Sequence, residues 1–270
     1  MELFVDLIKG NFMYFKTINF SKFSSIKVGS PIEVLMLERE DTLPTDRLII
    51  GHANNLLVSD NPPPLMMLSK DFSFIELEED ILTIGCATPT GKILSFAKKH
   101  NLAGFEFVSK LPGSLGGMIA MNAGVKSYEV FNILDAVKID GIWREREEID
   151  YGYRFALLNG VATEVKFKVR QGFSKELLDE LINLRSNQPK TASAGSAFKN
   201  PKDDYAGRLI EEVGLKGVAK GAMQWSEIHA NFLVNHGGGT FEEAQYLIEL
   251  VKEKVYREYK IHLIEEIKIL

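Results

Sequence analysis

The chain has 270 residues, room for one large domain or two modest ones. It is 45% hydrophobic and 26% charged, the balance of a soluble globular protein, and its net charge of −5 argues against nonspecific nucleic-acid binding. An anionic ligand would need a local basic or amide-lined pocket. Cys86 is the single cysteine, so no intrachain disulfide can form; this fits a reducing cytoplasm and a small buried hydrophobe after Gly85.

The opening "MELFVDLIKG" lacks a basic segment followed by an apolar core and cleavage site, so no signal peptide is expected. No apolar run approaches a membrane span. Short strands dominate the first half. "DRLIIGHANNLLVSD" places two apolar runs around a polar loop, and Pro62 to Pro64 break the chain after it. "FSFIELEEDILTIG" predicts a hairpin around Glu-Glu-Asp, and "GKILSFAKKHN" a helix with Ile93, Leu94 and Ala97 on one face. "AVKIDGIW" puts Asp140-Gly141 between two strands, a two-residue turn signal. "ATEVKFKV" alternates, with Val165, Phe167 and Val169 on one side and Lys166 and Lys168 on the other.

Helices then prevail. "SKELLDELINLRSN" predicts a helix capped by Ser174, with Leu177, Leu178, Leu181 and Leu184 on one face and an end at Gln188-Pro189. "YAGRLIEEVGLKG" predicts a short helix stopped by Gly214, and "HANFLVNHGGG" a strand running into a glycine turn. "TFEEAQYLIELVKEKVYREY" opens with a capping box from Thr240 to Glu243, and Ala244, Leu247, Ile248, Val251 and Val255 form its buried stripe. "IHLIEEIKIL" returns to a strand. The composition changes near Gly172, where a domain boundary is expected, and the segregation of strands from helices favours α+β.

Three stretches carry candidate chemistry. "LPGSLGGMIAMNAG" is neither a dinucleotide fingerprint nor a P-loop. Its glycines could bring backbone N–H groups against a phosphate, or serve tight helix–strand packing; the residues leave both open. "GHANN", Gly51 to Asn55, reads first as a strand-to-strand loop and second as another backbone cradle. In "SAGSAFKNP", Ser196 lacks the glycine two residues on that a hydrolase nucleophile elbow requires. Taken alone it reads as a loop serine capping a turn. No His/Cys/Asp group has metal-ligand spacing, so no metal is expected.

Together these motifs resemble the UDP-N-acetylenolpyruvoylglucosamine reductase family. The glycine stretch followed by Glu129, then Tyr153-Arg154, "QPKTASAGSAFKNP", "AGRLIEEVGLKG" and "IHANFLVN" occur in the family's order, from about Asn19 to the C-terminus. The resemblance implies the compact family type and the FAD-binding fold of vanillyl-alcohol oxidase. It implies a two-part FAD-binding module over 1–172, a smaller α+β domain for the UDP-sugar over 173–260, and a C-terminal strand, 261–270, returning to the flavin side. It implies noncovalent FAD, NADPH as hydride donor and reduction of UDP-N-acetylglucosamine enolpyruvate to UDP-N-acetylmuramate. A cytoplasmic monomer serving bacterial peptidoglycan synthesis, and through it cell shape and division, is expected.

Residue by residue, Gly113, Ser114, Gly116, Gly117 and Asn122 match the family's FAD stretch. Gly51 and Asn55 match the ends of its other phosphate loop, usually Gly-Gly-Gly-Ser-Asn; His52, Ala53 and Asn54 depart from it, and Asn54 offers an amide for the missing hydroxyl. Ser196 matches the general acid, Arg154 the active-site arginine and Glu266 the C-terminal glutamate. Tyr153, Lys199, Asn200 and His229 match substrate-side positions. Asn187 stands where a lysine is usual, leaving Lys190 or Lys199 to supply the charge. Strand alternation puts Glu265 and Glu266 on opposite faces, and the family register selects Glu266. Two rivals share the fold: another FAD-dependent oxidase or dehydrogenase, with His52 near a flavin that could be covalently held, and a nucleotide-sugar binder without flavin. Retention of Arg154, Ser196 and Glu266 argues against the latter.

Overall fold

The computed structural model describes residues 13–39, 43–184 and 187–270. The opening ten residues, which bear on a signal peptide, lie outside the described residues. The fold is α+β, and within the described residues it divides into two units. One takes 13–16, 33–39, 43–52 and 64–184; the other takes 17–32, 53–63 and 187–270.

In the first unit an antiparallel sheet has the order Ile142–Glu145, Ala136–Ile139, Ala162–Lys168, Ile81–Gly85, Ile75–Glu78. The alternation of its central strand fixes which face is buried: Val165 and Phe167 are fully buried, while Lys168 is exposed. Asp140 and Gly141 both adopt positive φ, +48° and +80°, the geometry a two-residue hairpin between Ile139 and Ile142 requires. Against this sheet pack the helix Thr90–Lys99, through Ile93 and Ala97, and the short helix Leu115–Ala120. A second, parallel ladder pairs Val34–Leu37 with Leu65–Leu68, which in turn pairs with Leu48–Ile49.

The boundary expected near Gly172 is not where contacts divide. The helix Lys175–Leu184 belongs to the first unit because Leu181 finds its apolar partners in that core, with Leu177 packed alongside. Ser174 caps it through the Leu177 N–H (3.1 Å), and the Ser174 N–H is itself held by the buried Glu106 carboxylate (2.7 Å). Leu184, expected on the buried face, is exposed in the last turn; the end expected at Gln188-Pro189 follows residues 185–186, outside the described residues.

The second unit has an antiparallel sheet of order Ala192–Ser196, Phe232–Asn235, Met223–Trp225, Ala219–Lys220. The helix Phe241–Tyr259 lays Ala244, Leu247, Ile248, Val251 and Val255 into the core beside Trp225 and Phe198, and both halves of its Thr240–Glu243 capping box form. Residues from the N-terminal half complete this unit: Ile26, Val28 and Leu57 join its core. The C-terminal stretch forms less strand than its alternation suggests. Only Lys268–Ile269 makes a ladder, parallel to Leu56–Leu57, and Glu265 makes an isolated bridge to Phe198. Among the described residues no helix is long and apolar enough to cross a membrane, and no three His, Cys, Asp or Glu side chains cluster as a metal site would need.

Candidate active site

The two glycine loops meet in the first unit. Gly113, at φ +123°, turns the chain into Ser114, and the helix Leu115–Ala120 follows. Its first N–H groups are already used: Leu115 donates to Thr88 O (3.0 Å) and Gly116 to Cys86 O (2.8 Å). A Cβ on Gly116 would lie 3.2 Å from the Cys86 carbonyl, so glycine permits this approach. A Cβ on Gly51 would lie 2.9 Å from the Ser114 hydroxyl, so the loops touch. Both, with Ile50, Met67 and Cys86 among other apolar groups, line a cavity of ≈ 90 Å³. Ser114 is buried, yet its side chain does not cap the helix it precedes. The Cys86 thiol is fully buried and pushed strongly up by desolvation, with the Glu164 charge a smaller cause, so it stays a neutral thiol.

His52 stands where the sequence departs from the usual glycine. It lines the same cavity. Burial lowers its pKa, and a hydrogen bond to the Gly113 backbone partly offsets that. Ala53 carries the left-handed φ of +52° that a glycine would adopt without strain. In the second unit, Asn54 O accepts from the Ser25 hydroxyl (3.0 Å). Asn55 does more than end the loop: its amide donates to Glu266 O (2.8 Å), and its carbonyl accepts from Lys268 N (2.9 Å).

Arg154 sits with Tyr153 in the tight turn between strands Asp150–Gly152 and Phe155–Leu157, at φ +60°. A non-glycine residue held there marks a constrained position. Its Nη2 donates to Gly124 O (3.1 Å), its Nη1 lies 3.8 Å from Glu129 Oε1, and its guanidinium lies 5.1 Å from the Tyr153 ring centre. Asn122 is fully buried beneath this group. Its amide nitrogen donates to Glu129 Oε2 (2.9 Å) and Gly152 O (3.1 Å), and its oxygen accepts from Phe131 N (3.2 Å). Asn122 thus serves the arginine turn, whereas the resemblance assigns it to the cofactor.

The second unit gathers Ser196, Lys199, Asn200, His229 and Glu266. Gly195, at φ +82°, allows the irregularity through which Ser196 comes opposite Phe232. The Glu266 N–H donates to Ala197 O (2.8 Å), and Lys199 N donates to Ile264 O (2.9 Å), so the serine strand and the C-terminal stretch run side by side. Glu265 pairs with Lys252 (2.8 Å). Asn200 Oδ1 accepts from Ala206 N (3.1 Å) at the start of the helix Ala206–Glu212. His229 Nδ1 accepts from Asn231 N (3.3 Å); burial lowers its pKa, so it is neutral, with its proton on Nε2, at pH 7. Asn231 was not legible as a site residue. Buried, it brackets Phe198, accepting from Phe198 N (3.0 Å) and donating to Phe198 O (2.8 Å), and its own carbonyl accepts from Ala197 N (2.8 Å). The one available signal was an amide inside the apolar run "ANFLV".

The first unit thus holds two glycine loops around a cavity and a fastened arginine, and the second holds a serine and a glutamate on adjoining segments. Residues 188–270 match the family model described as UDP-N-acetylenolpyruvoylglucosamine reductase, C-terminal domain. The chain is similar to the UDP-N-acetylenolpyruvoylglucosamine reductase of Helicobacter hepaticus, 47% identical, covering 94% of this chain and 98% of that one. That of Campylobacter jejuni is 45% identical over 94% of this chain and 99% of its own. The crystal structure of the corresponding reductase from Thermus caldophilus superposes with a TM-score of 0.83 at 30% identity, covering 96% of this chain and 99% of that one. The chain belongs to the UDP-N-acetylenolpyruvoylglucosamine reductase family.

Proposed function

We propose that the protein reduces UDP-N-acetylglucosamine enolpyruvate to UDP-N-acetylmuramate, using NADPH and one noncovalent FAD, as a cytoplasmic monomer in peptidoglycan precursor synthesis. The observation that carries the reading is the fastening of Glu266 to Ala197, which brings two residues distant in sequence, Ser196 and Glu266, onto adjoining segments.

The residues present fit a flavin nucleotide. At Gly117 a Cβ would meet only the Ser114 hydroxyl, at 3.8 Å, so backbone rather than side chain borders the cavity there. Gly51, Gly113, Ser114 and Gly117 would hold the group in the first unit; Gly116, whose N–H goes to Cys86 O, and Asn54 and Asn55 are assigned with them. When bound, FAD supplies the carrier that takes hydride from NADPH and passes it to the enolpyruvyl β-carbon.

Everything else falls to this chain's own groups. As the β-carbon gains hydride, negative charge develops on the α-carbon and its carboxylate. Arg154 is assigned to that charge; its planar fork is hydrogen-bonded to Gly124 O and ion-paired with Glu129, and a donor ordered beforehand needs little reorganisation as the reaction proceeds. Ser196 gives the proton to the α-carbon, Glu266 handles the proton beside it, and Lys199 or a bound water restores the serine. Tyr153, Lys199, Asn200 and His229 are assigned to the UDP-sugar. The test is product analysis. FAD-loaded protein, NADPH and the enolpyruvyl substrate should yield UDP-N-acetylmuramate by mass; NADPH consumption without that product overturns the reading.

A further inference from the structure

Glu129 is the acidic group facing Arg154 among the described contacts, and it is not a surface carboxylate. The pair is largely shielded, with 18% of the arginine side chain and 21% of the glutamate side chain exposed. Both carboxylate oxygens are engaged: Oε1 faces the arginine Nη1 at 3.8 Å, and Oε2 accepts from Asn122 at 2.9 Å. Asn122 is also hydrogen-bonded to Gly152 O and Phe131 N. Gly152 precedes the turn that carries Arg154, and Gly124 accepts from the arginine Nη2. A Cβ on Gly124 would come 2.8 Å from the Glu129 Cα, so the paired strands Gly124–Val125 and Tyr128–Glu129 bring the Gly124 carbonyl and Glu129 close together. One guanidinium nitrogen is therefore hydrogen-bonded to Gly124 O, and the other faces the Glu129 carboxylate at ion-pair distance.

We propose that Glu129, oriented by Asn122, is the positioning residue that fixes the Arg154 guanidinium for the reaction. The proposal rests on the reductase reading above. Glu129 holds the plane of the fork and offsets part of its charge before substrate arrives; it does not touch the reacting atoms. A long flexible cation would otherwise sample many rotamers, and each productive encounter would need it to be ordered anew.

The experiment is a double-mutant cycle on the holoenzyme. Flavin reduced with NADPH under anaerobic conditions is mixed with UDP-N-acetylglucosamine enolpyruvate, and its reoxidation is followed. Glu129→Ala should slow reoxidation on the order of 10- to 100-fold, the scale of a misplaced catalytic group. Glu129→Gln, which keeps an acceptor for Asn122, should lose less and melt at the wild-type temperature, so the cycle stands even where the alanine variant folds poorly. In an Arg154→Ala background either change should cost little more, because the group it positions is gone. A second readout needs no turnover: the Arg154 side-chain N–H resonance, assigned by its loss in Arg154→Ala, should be distinct in the wild type and merge with those of mobile arginines in Glu129→Ala. Wild-type reoxidation rates in both Glu129 variants, an undiminished penalty in the Arg154→Ala background, or an unmoved Arg154 resonance would each overturn the proposal. If wild-type reduced flavin is itself not reoxidised by this substrate, the reductase reading fails, and the resonance alone decides whether Glu129 holds Arg154.

Discussion

Ser196 follows a glycine at φ +82° and precedes Ala197, whose carbonyl receives the Glu266 N–H and whose own N–H is held by Asn231. The serine is thus placed by its neighbours' backbone. If it is the general acid, it acts after hydride has left the flavin. Ser196→Ala should leave reduction of FAD by NADPH nearly intact and slow reoxidation by the enolpyruvyl substrate ~10²–10⁴-fold. Ser193→Ala, in the same strand opposite Val234, is the control. A normal oxidative half-reaction in Ser196→Ala, read by stopped flow, removes the serine from the mechanism. Glu266→Gln should impair that half-reaction more than Glu265→Gln, because Lys252 occupies Glu265; equal small losses would show that the wrong glutamate was assigned. Ser196 and Glu266 were assigned through the family's motif order, strand alternation only separating Glu266 from Glu265. Asn231 was not, because its worth lies in contacts with Ala197 and Phe198, and single-chain periodicity carries no record of such pairings. Asn231→Ala should therefore lower stability by about 1–3 kcal/mol by leaving the Phe198 amide groups unpaired, measurable by chemical denaturation.

At the scale of elements, what was readable was local. Thr240 and Glu243 lie three residues apart and cap one another. Asp140-Gly141 dictates its own hairpin. Thr240→Ala should cost about 1 kcal/mol for the lost cap, checked by the shift in the urea midpoint. Elements whose limits depend on distant partners were misjudged. The helix Lys175–Leu184 was expected with the C-terminal half, but its Leu181 packs in the first unit's core. The loop Gly51–Asn55 gives its first residues to one unit and its last to the other, a division that no feature of "GHANN" announces. The C-terminal alternation was read as a strand. Its ladder is short because Leu56–Leu57 offers only two residues to pair with.

For the molecule as a whole, two half-buried histidines make stability depend on pH. His52 and His229 both have lowered pKa values, chiefly through desolvation. The unfolded chain therefore takes up their protons first as pH falls, near the ordinary value of about 6.5. The stability they favour is fully present above that pH and is lost as pH falls through their lower folded values. Melting temperature should drop as pH falls through and below about 6.5, and His52→Gln should flatten part of that drop; an unchanged slope would mean that His52 is not desolvated as described.

The central claim is that this chain carries hydride from NADPH to an enolpyruvyl group through FAD, with Arg154, Ser196 and Glu266 completing the transfer. Its most direct test is an anaerobic stopped-flow experiment in two mixes. NADPH added to the FAD-loaded protein should bleach the oxidised flavin band, and UDP-N-acetylglucosamine enolpyruvate added next should restore it with one equivalent of UDP-N-acetylmuramate formed. A flavin that bleaches but does not recover on addition of that substrate would contradict the account.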